Sequence, residues 1–430
     1  MSATETHRTI EAIWGIESPR LLGALTRVVR DIDLAEELAQ DAFVAALAQW
    51  PVDGIPRNPG AWLMSVAKRR AIDRFRRDAL QEQNNERLGR EIVDVEEPDF
   101  SGLDDDVADD LLRLMFVACH SVLSRDARVA LTLRLLGGLS TPEIARAFLV
   151  SEATVAQRIV RAKRTIAEAR VPYEAPDAAE RAKRLPSILE VIYLIFNEGY
   201  SATAGDDVLR PALCDEAIRL GRVLAHMLPD DAEVHGLLAL MEIQASRSNA
   251  RIGPKGEHIL LLDQDRARWD YMRIGRGLAA LELAQRLATP LGPYTLQASI
   301  AACHARARTA EETDWHRIAA LYDALAQLAP SPVVELNRAV AVGMAFGPSA
   351  GLEIVDMLEA NGALDNYHLL PSVRGDLLEK LGRPSEARAA FERAAGLARN
   401  ARDRELLLER AARCRSVDRG KGTLGSVDVF

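Results

Sequence analysis

Residues 139–166 read LSTPEIARAFLVSEATVAQRIVRAKRTI, and this stretch decides the fold class. Ser140 or Thr141 can cap a helix, with Pro142 in its first turn and Glu143 reaching back to the cap. That helix is short and ends near Phe148, with Leu149 and Val150 making a turn. Ser151 caps the next helix, expected from Glu152 to about Ala169. On it Val155, Ile159, Ala162 and Ile166 recur at spacings of four, three and four, so they share one inward face. Ala153, Ala156, Gln157, Val160, Arg161 and Arg164 face elsewhere. Gln157 and Arg161 lie one turn apart and project side by side, as side chains must to pair with base edges in a major groove. Arg158, Lys163 and Arg164 are better placed for phosphates. An amphipathic hairpin with a solvated basic face is the plainer alternative, but cap, turn, apolar face and basic face agree on a helix-turn-helix.

Upstream, residues from about 10 to 80 read as a helical unit. Leu21, Leu22, Leu25, Val28 and Val29 recur at helical spacing, as do Leu34, Leu38, Ala42, Phe43 and Ala46. The segment PVDGIPRNPG, Pro51 to Gly60, predicts a loop because prolines and glycines crowd it. The helix before it, DIDLAEELAQDAFVAAL, carries Asp33, Glu36, Glu37, Gln40 and Asp41 on a polar face. An acidic face repels nucleic acid, so it implies a basic protein partner or plain solvent. The helix after it, AWLMSVAKRRAIDRFRRD, concentrates Lys68, Arg69, Arg70, Arg74, Arg76 and Arg77 opposite a side formed by Trp62, Leu63, Val66, Ala67 and Ile72. Such a stripe suits a phosphate backbone, although a basic run alone is more often a solvated face. Between Glu91 and Asp110 there are ten Asp or Glu and no Lys or Arg, which reads as a self-repelling mobile linker.

The whole chain has 430 residues and a net charge of −9, which excludes a uniformly basic nucleic-acid binder but not local basic patches. It is 48% hydrophobic and only 5% aromatic, and it is rich in Ala, Leu, Arg and Glu, which lose little freedom in a helix. With no strand alternation long enough for a sheet, the expected class is all-α. The one doubtful spot is Ile259 to Leu262. No apolar run is long enough to span a membrane, and the first twenty residues carry charges where a signal peptide needs an apolar core. Cys119, Cys214, Cys303 and Cys414 lie far apart, so reduced, mostly buried thiols in a cytoplasmic protein are expected rather than a zinc site.

Taken in order, these pieces resemble the sigma-70 family of RNA polymerase factors, and within it the extracytoplasmic-function group. DLAEELAQDAF, 33–43, is similar to the family's D-A-E-D-x-x-Q-E-x-F core-binding helix in region 2.2. AWLMSVAKRRAIDRFRR, 61–77, is similar to W-L-x-x-I-A-x-N-x-x-x-D-x-x-R-R in regions 2.3 to 2.4. Residues 139–166 are similar to the region 4.2 helix-turn-helix, which ends T-V-x-x-R-x-x-R-A-x-x-x-L. The resemblance implies that Asp33, Glu36, Glu37, Gln40 and Asp41 face core RNA polymerase. It implies that Arg57 and Asn58, with Lys68, Arg69, Arg70, Arg74 and Arg77, engage the −10 element, where a flipped base must be held against its unstacking cost. Ser151, Thr154, Gln157, Arg158, Arg161, Lys163 and Arg164 would serve the −35 element. Arg70 stands near the family's usual Asn and Ala156 at an often polar position, so the promoter motif does not carry over. The implied division is region 2 at 1–90, an acidic linker at 91–106 and region 4 at 107–172.

Beyond it lies a helical extension, expected at 183–418, with a frayed tail at 419–430. Its breaks are predicted at Pro229, Arg251–Gly256, Thr289–Pro293, Pro330–Pro332 and Gly347–Pro348. VRGDLLEKLGRPSEARAAFERAAGLA, 373–398, resembles a tetratricopeptide repeat, with Gly375, Ala387, Phe391 and Ala394 at its small and aromatic positions. In LYDALAQLAPSP, Tyr322 takes the Phe position and Pro330 the closing Pro, so three to five irregular hairpins are expected. The pieces LPSILEVIYLIFNEGY and LLLDQDRARWD look like those of sigma factors with such an extension. Asp263, Asp265, Asp270 and Trp269 either line a groove or, the favoured reading, form a capping network at a hairpin junction. The histidines make no H-E-x-x-H pattern, and neither a catalytic site, a metal nor a cofactor is expected. The extension is expected to contact the two DNA-binding units in cis, because stacked hairpins offer a concave binding surface. A one-component helix-turn-helix regulator with a repeat sensor is the competing function, but it leaves the acidic and basic helices of the first unit without a role. A scaffold and an enzyme rank below it.

Overall fold

The helix-forming composition is realised among the described residues. The computed structural model describes residues 3–86, 107–148, 150–174, 177–200, 210–253, 259–362, 364–398 and 400–422. Among these residues the chain is all-α, with no strand. It divides into two units, Met1–Leu194 and Ile195–Phe430.

The first unit opens with α1 (Ala3–Val29), α2 (Ile32–Asp53) and α3 (Pro59–Glu86). Asp31 starts α2 by accepting a hydrogen bond from the Leu34 N–H at 2.9 Å. Leu21, Leu25, Leu38, Ala42, Ala46, Leu63 and Ala67 close the core between the three helices. Trp14 stacks on Phe43 with centroids 4.7 Å apart, and Trp50 meets Trp62 edge to face at 5.2 Å. The loop expected from Pro51 is shorter than its prolines suggest. Pro51 sits in the last turn of α2, where its ring displaces one hydrogen bond at most, and Gly54, at φ 86°, ends the helix.

Next come α4 (Val107–Ala118), α5 (Arg125–Leu135), α6 (Thr141–Phe148) and α7 (Glu152–Glu168). The linker expected at 91–106 lies outside the described residues. Asp109 and Asp110, counted with that acidic run, belong to α4, and the Asp110 side chain is fully buried. Helix α8 (Ala178–Tyr200) runs from this unit into the next. Its first half is fastened to α4 and α5. Arg184 donates to the Phe116 carbonyl at 2.9 Å, Ser187 donates to the Cys119 carbonyl at 2.8 Å, and Arg125 and Arg128 both pair with Glu190.

The second unit continues with α9 (Pro211–Met227), α10 (Ala232–Ala245), α11 (Tyr271–Leu287), α12 (Pro293–Arg306) and α13 (Trp315–Leu328). It ends with α14 (Pro332–Phe346), α15 (Pro348–Ala360), α16 (Leu369–Lys380), α17 (Pro384–Leu397) and α18 (Ala401–Gly422). From α12 onward each helix packs on the next, as stacked hairpins do. The breaks expected at Pro229, Thr289–Pro293, Pro330–Pro332 and Gly347–Pro348 fall at junctions between helices, and part of Arg251–Gly256 lies outside the described residues. Helix α18 continues to Gly422, past the expected start of the tail, and residues 423–430 lie outside the described set. Ile259 to Leu262 is no strand: the Ile259 N–H bonds the Arg251 carbonyl at 2.9 Å, and Leu261–Asp263 is a single 3-10 turn.

The repeat-like positions are core positions. Gly375, Ala387, Phe391 and Ala394 are all buried, and Phe391 shares a core with Leu336, Val355 and Leu377. A Cβ on Gly375 would stand 2.7 Å from Phe391 Cε1. Gly375→Leu therefore overpacks the α16–α17 hairpin and is expected to destabilise it by about 1–3 kcal/mol. A urea titration should show this as an earlier loss of hydrogen-exchange protection in residues 369–397 than in α1–α3. Equal protection in the variant and the parent would show that the hairpin relaxes around the added side chain.

All four cysteines are buried and free of disulfides. Burial pushes the Cys119 thiol up to about 11 and the Cys214 thiol up to about 12, so neither supplies a thiolate at neutral pH.

Candidate nucleic-acid interface

Local chemistry builds the α6–α7 pair. The Ser140 N–H and hydroxyl both donate to Glu143 Oε2, at 2.8 and 2.6 Å, and the Glu143 N–H points back at the Ser140 hydroxyl at 3.4 Å. This is a closed capping box, and its hydrogen bonds hold the Glu143 carboxyl below its ordinary pKa. Ser151 caps α7 by accepting from the Thr154 N–H at 3.2 Å, and its hydroxyl lies 2.8 Å from that of Thr154. Val155, Ile159, Ala162 and Ile166 are buried, as their spacing predicts, and α5 and α6 pack on that face.

The opposite face of α7 is open. Gln157, Arg161 and Arg164 are exposed, one turn or less apart. Arg158 is half-buried and pairs with Asp126 of α5 at 3.0 Å, so its guanidinium is oriented by a carboxylate. Lys163 differs. Its ammonium is 2.6 Å from Asp33 Oδ1 and also pairs with Glu36, both on α2. Burial alone would lower the Lys163 pKa, but the charges of Glu36 and Asp33 outweigh it and hold the pKa above the ordinary lysine value. In this arrangement Lys163 faces α2 rather than solvent.

On α2, Glu37 and Gln40 are exposed, and Asp41 is partly so. None of them is sealed in the core. Glu37 lies 3.2 Å from Arg74, and Asp41 lies 2.7 Å from Arg70, so the acidic and basic helices are zipped together along one edge. These surface pairs contribute little stability, about 0–1 kcal/mol each, and open readily. Glu36 is more enclosed, with 17% of its side chain exposed, and it accepts from Arg134 of α5 at 3.0 Å as well as from Lys163. Nothing in the sequence pattern marks Arg134. It is found only because α5 packs where α2 can reach it.

Around α3, Arg57 and Asn58 are exposed. The Asn58 carboxamide accepts from the Ala61 N–H at 3.2 Å and so starts the helix. Arg69 and Arg77 are exposed and bend back onto carbonyls of their own helix, Ser65 and Asp73. Lys68 is half-buried. The stripe therefore combines exposed guanidiniums with two, Arg70 and Arg74, already engaged by α2.

In the extension, Asp265 accepts from the Ala267 N–H at 2.9 Å, and Asp270 accepts from the N–H groups of Met272 and Arg273 at 3.0 Å. Both are caps, and Trp269 is buried beside them. Among the described residues no three His, Cys, Asp or Glu side chains converge as metal ligands.

Comparison with known proteins follows the same divisions. The family model for Sigma-70 region 2 matches residues 16–80, and that for Sigma-70 region 4 matches residues 113–166. A family of unknown function (DUF6596) matches residues 184–285. An uncharacterized protein of Rhizobium meliloti (strain 1021) is 48% identical over 385 residues, which cover 89% of this chain and 90% of that one. The ECF RNA polymerase sigma factor SigK of Mycobacterium ulcerans is 30% identical over 148 residues, covering 33% of this chain and 74% of its own. SigK of Mycobacterium tuberculosis is 29% identical over 156 residues, covering 34% and 78%. With both sigma regions matched, and most of a named relative covered, the chain belongs to the extracytoplasmic-function group of the sigma-70 family and carries a C-terminal helical extension.

Proposed function

We propose that this sigma factor binds core RNA polymerase through the acidic face of α2, at Asp33, Glu36, Glu37, Gln40 and Asp41. It directs initiation at promoters whose −10 element meets Arg57, Asn58 and the basic side of α3, and whose −35 element meets α7. The observation that carries this reading is the open face of α7: Gln157 and Arg161 stand exposed on a capped helix whose opposite face is buried, an arrangement suited to a major-groove reader. The extension modulates this activity in cis. Supporting that part, α8 begins on α4 and α5 through Arg125, Arg128 and Arg184 before entering the second unit. No helix among the described residues is long and apolar enough to cross a membrane, and the proposed site of action is the cytoplasm.

Reconstituted transcription with core polymerase tests the reading, comparing the full chain with one ending near residue 175. Promoter-specific transcripts are expected from the full chain, with a changed yield from the shortened one. No transcript without another sigma factor would favour a one-component regulator instead. Unchanged yield and regulation after truncation would remove the cis role alone.

In the same assay, Gln157→Ala and Arg161→Ala are each expected to lose about 1–3 kcal/mol of discrimination at one −35 position. A uniform loss across promoter variants, with a shallower salt dependence, would reassign them to phosphates.

A further inference from the structure

Three arginines of the second unit are buried where arginine is rarely buried without a counter-charge. Arg247 follows α10, Arg251 follows the next 3-10 turn, and Arg266 opens the turn before Trp269. Their relative exposures are 8%, 6% and 8%. Among the described residues no carboxylate lies within ion-pair distance of any of them. Glu242, the carboxylate on the neighbouring turn of α10, is engaged by Arg222 and Arg276 instead.

The groups in direct contact with them are neutral, although the charges of Glu311 and Glu312 reach Arg266 from farther off. Arg251 lies 3.8 Å from the centroid of the Tyr200 ring and donates to the Tyr200 carbonyl, and Arg247 lies 5.9 Å from the same ring. Arg266 lies 4.8 Å from the Trp269 centroid and donates to the carbonyls of His304 and Ala307, at 2.6 and 2.7 Å. Aromatic faces and carbonyl dipoles hold a guanidinium in place, but they do not cancel its charge. Several buried polar atoms here have no hydrogen-bond partner: Arg247 Nε, Trp269 Nε1 and His304 Nδ1. The 3-10 turns beside these arginines, Ser248–Ala250 and Arg266–Arg268, pack on each other. Burial, and then the charges of Arg247 and Arg266, push the His304 pKa down to about 3, so the ring is neutral beside two cations.

We infer that Arg247, Arg251 and Arg266, with Trp269 and His304, form a recognition site for the oxyanion group of a small molecule, a phosphoryl or a carboxylate. The planar guanidinium fork matches two oxygens of such a group. Arg266 spends Nη1 on those two carbonyls and donates from Nη2 to the Thr313 hydroxyl at 3.3 Å, so it acts as a fixed charge. Arg247, with its Nε unpartnered, makes the direct contact, and the Trp269 N–H is a further donor. Each of these side chains is more than nine-tenths buried, so the occupant is a small molecule rather than a folded surface. The inference concerns the extension's own chemistry and stands whether or not the chain initiates transcription.

Calorimetric titration of the full chain with inorganic phosphate, diphosphate and citrate, at matched ionic strength in chloride, tests it. Saturable binding of at least one is expected. Phosphate or diphosphate alone would identify a phosphoryl ligand, and citrate alone a carboxylate. Arg247→Met should weaken that binding about ten-fold or more, and Arg247→Lys by less. Arg286→Met, at an exposed position on α11, should leave it unchanged. If the Arg247 variants misfold, hydrogen exchange on the parent chain decides: the bound anion should protect residues 246–252 and 264–270 but not 369–397. The site is refuted by no saturable heat from any of the three anions. Binding that survives Arg247→Met in a folded chain, without protection at 246–252, also refutes it. Binding of a hexaglutamate peptide alone would overturn the small-molecule reading and assign the arginines to a protein partner.

Discussion

Asp110→Ala is expected to loosen the first unit by about 3 kcal/mol, near the low end of what breaking a buried ion pair costs. The Asp110 side chain has no exposure, and its oxygens lie 2.8 Å from Arg27 Nε and 2.7 Å from an Arg113 nitrogen. Removing the carboxylate leaves two guanidiniums without the group they share, with Asp109 still 4.0 Å from Arg113. They keep some contact with water, with 26% and 16% of their side chains exposed, and this moderates the loss. The backbone around Asp110 is held as well. The Tyr173 hydroxyl donates to the carbonyls of Gly23 and Asp110, at 2.8 and 3.2 Å, and a Cβ on Gly23 would sit 3.0 Å from that same Asp110 carbonyl. Burial is the leading reason the Tyr173 hydroxyl titrates well above the ordinary tyrosine range, so it stays a neutral donor at any physiological pH. One residue thus ties α1, from the region 2 match, to the start of α4.

The readout should be local, because a chain of two units need not unfold in one step. Hydrogen exchange in residues 20–29 and 107–118 is expected to accelerate by about two orders of magnitude, since about 1.4 kcal/mol is worth ten-fold. Residues 369–397 should not change. Asp110→Asn keeps an acceptor and should fall between the parent and the alanine variant. Undisturbed protection in α4 of both variants would mean that desolvating the carboxylate costs as much as its pairs return.

What the sequence made legible divides by the range of the interaction. The α6 cap was readable because Ser140 and Glu143 are three residues apart and can satisfy each other only in a helical first turn. The buried face of α7 followed from the spacing of Val155, Ile159, Ala162 and Ile166. In the extension, the breaks were readable because proline and glycine act through their own backbone, as Gly347 does at φ 102°. Composition counts Asp110 with the acidic run even though the helical unit is read from 107, and it gives no sign that Leu111, Leu112, Leu114 and Met115 pull that turn of α4 inward. The partners of Lys163 were out of reach for a different reason. Asp33 lies 130 residues away along the chain, and a basic residue on a basic face gives no sign that it will turn toward α2. The buried arginines were equally silent, since local pattern does not reveal which arginines fold inward. The nearest clue was the run of apolar and charged residues ending in Trp269.

The pairing of α7 and α5 with α2 has a consequence for docking that a charge reversal should expose. If Glu36 faces core polymerase, docking must first free it from Arg134 and Lys163. The unbound chain then competes with polymerase for the same carboxylate, and its apparent affinity is reduced by the fraction of time the pairs are closed. Lys163→Glu puts like charges against Asp33 and Glu36, so the closed arrangement is disfavoured. Core binding without DNA is expected to tighten by about 5–150-fold, the range of a 1–3 kcal/mol coupling. Arg134→Ala should act in the same direction and more weakly, because Lys163 remains. Glu36→Lys should break the pairs too, yet weaken binding, since it also deletes the group that polymerase is proposed to contact. The opposite signs of Lys163→Glu and Glu36→Lys separate competition from simple loss of structure, which would lower both. Fluorescence anisotropy of labelled chain against core polymerase measures all three variants. Equal affinity for Lys163→Glu and the parent chain would place the ion pairs intact in the polymerase-bound form and remove the competition.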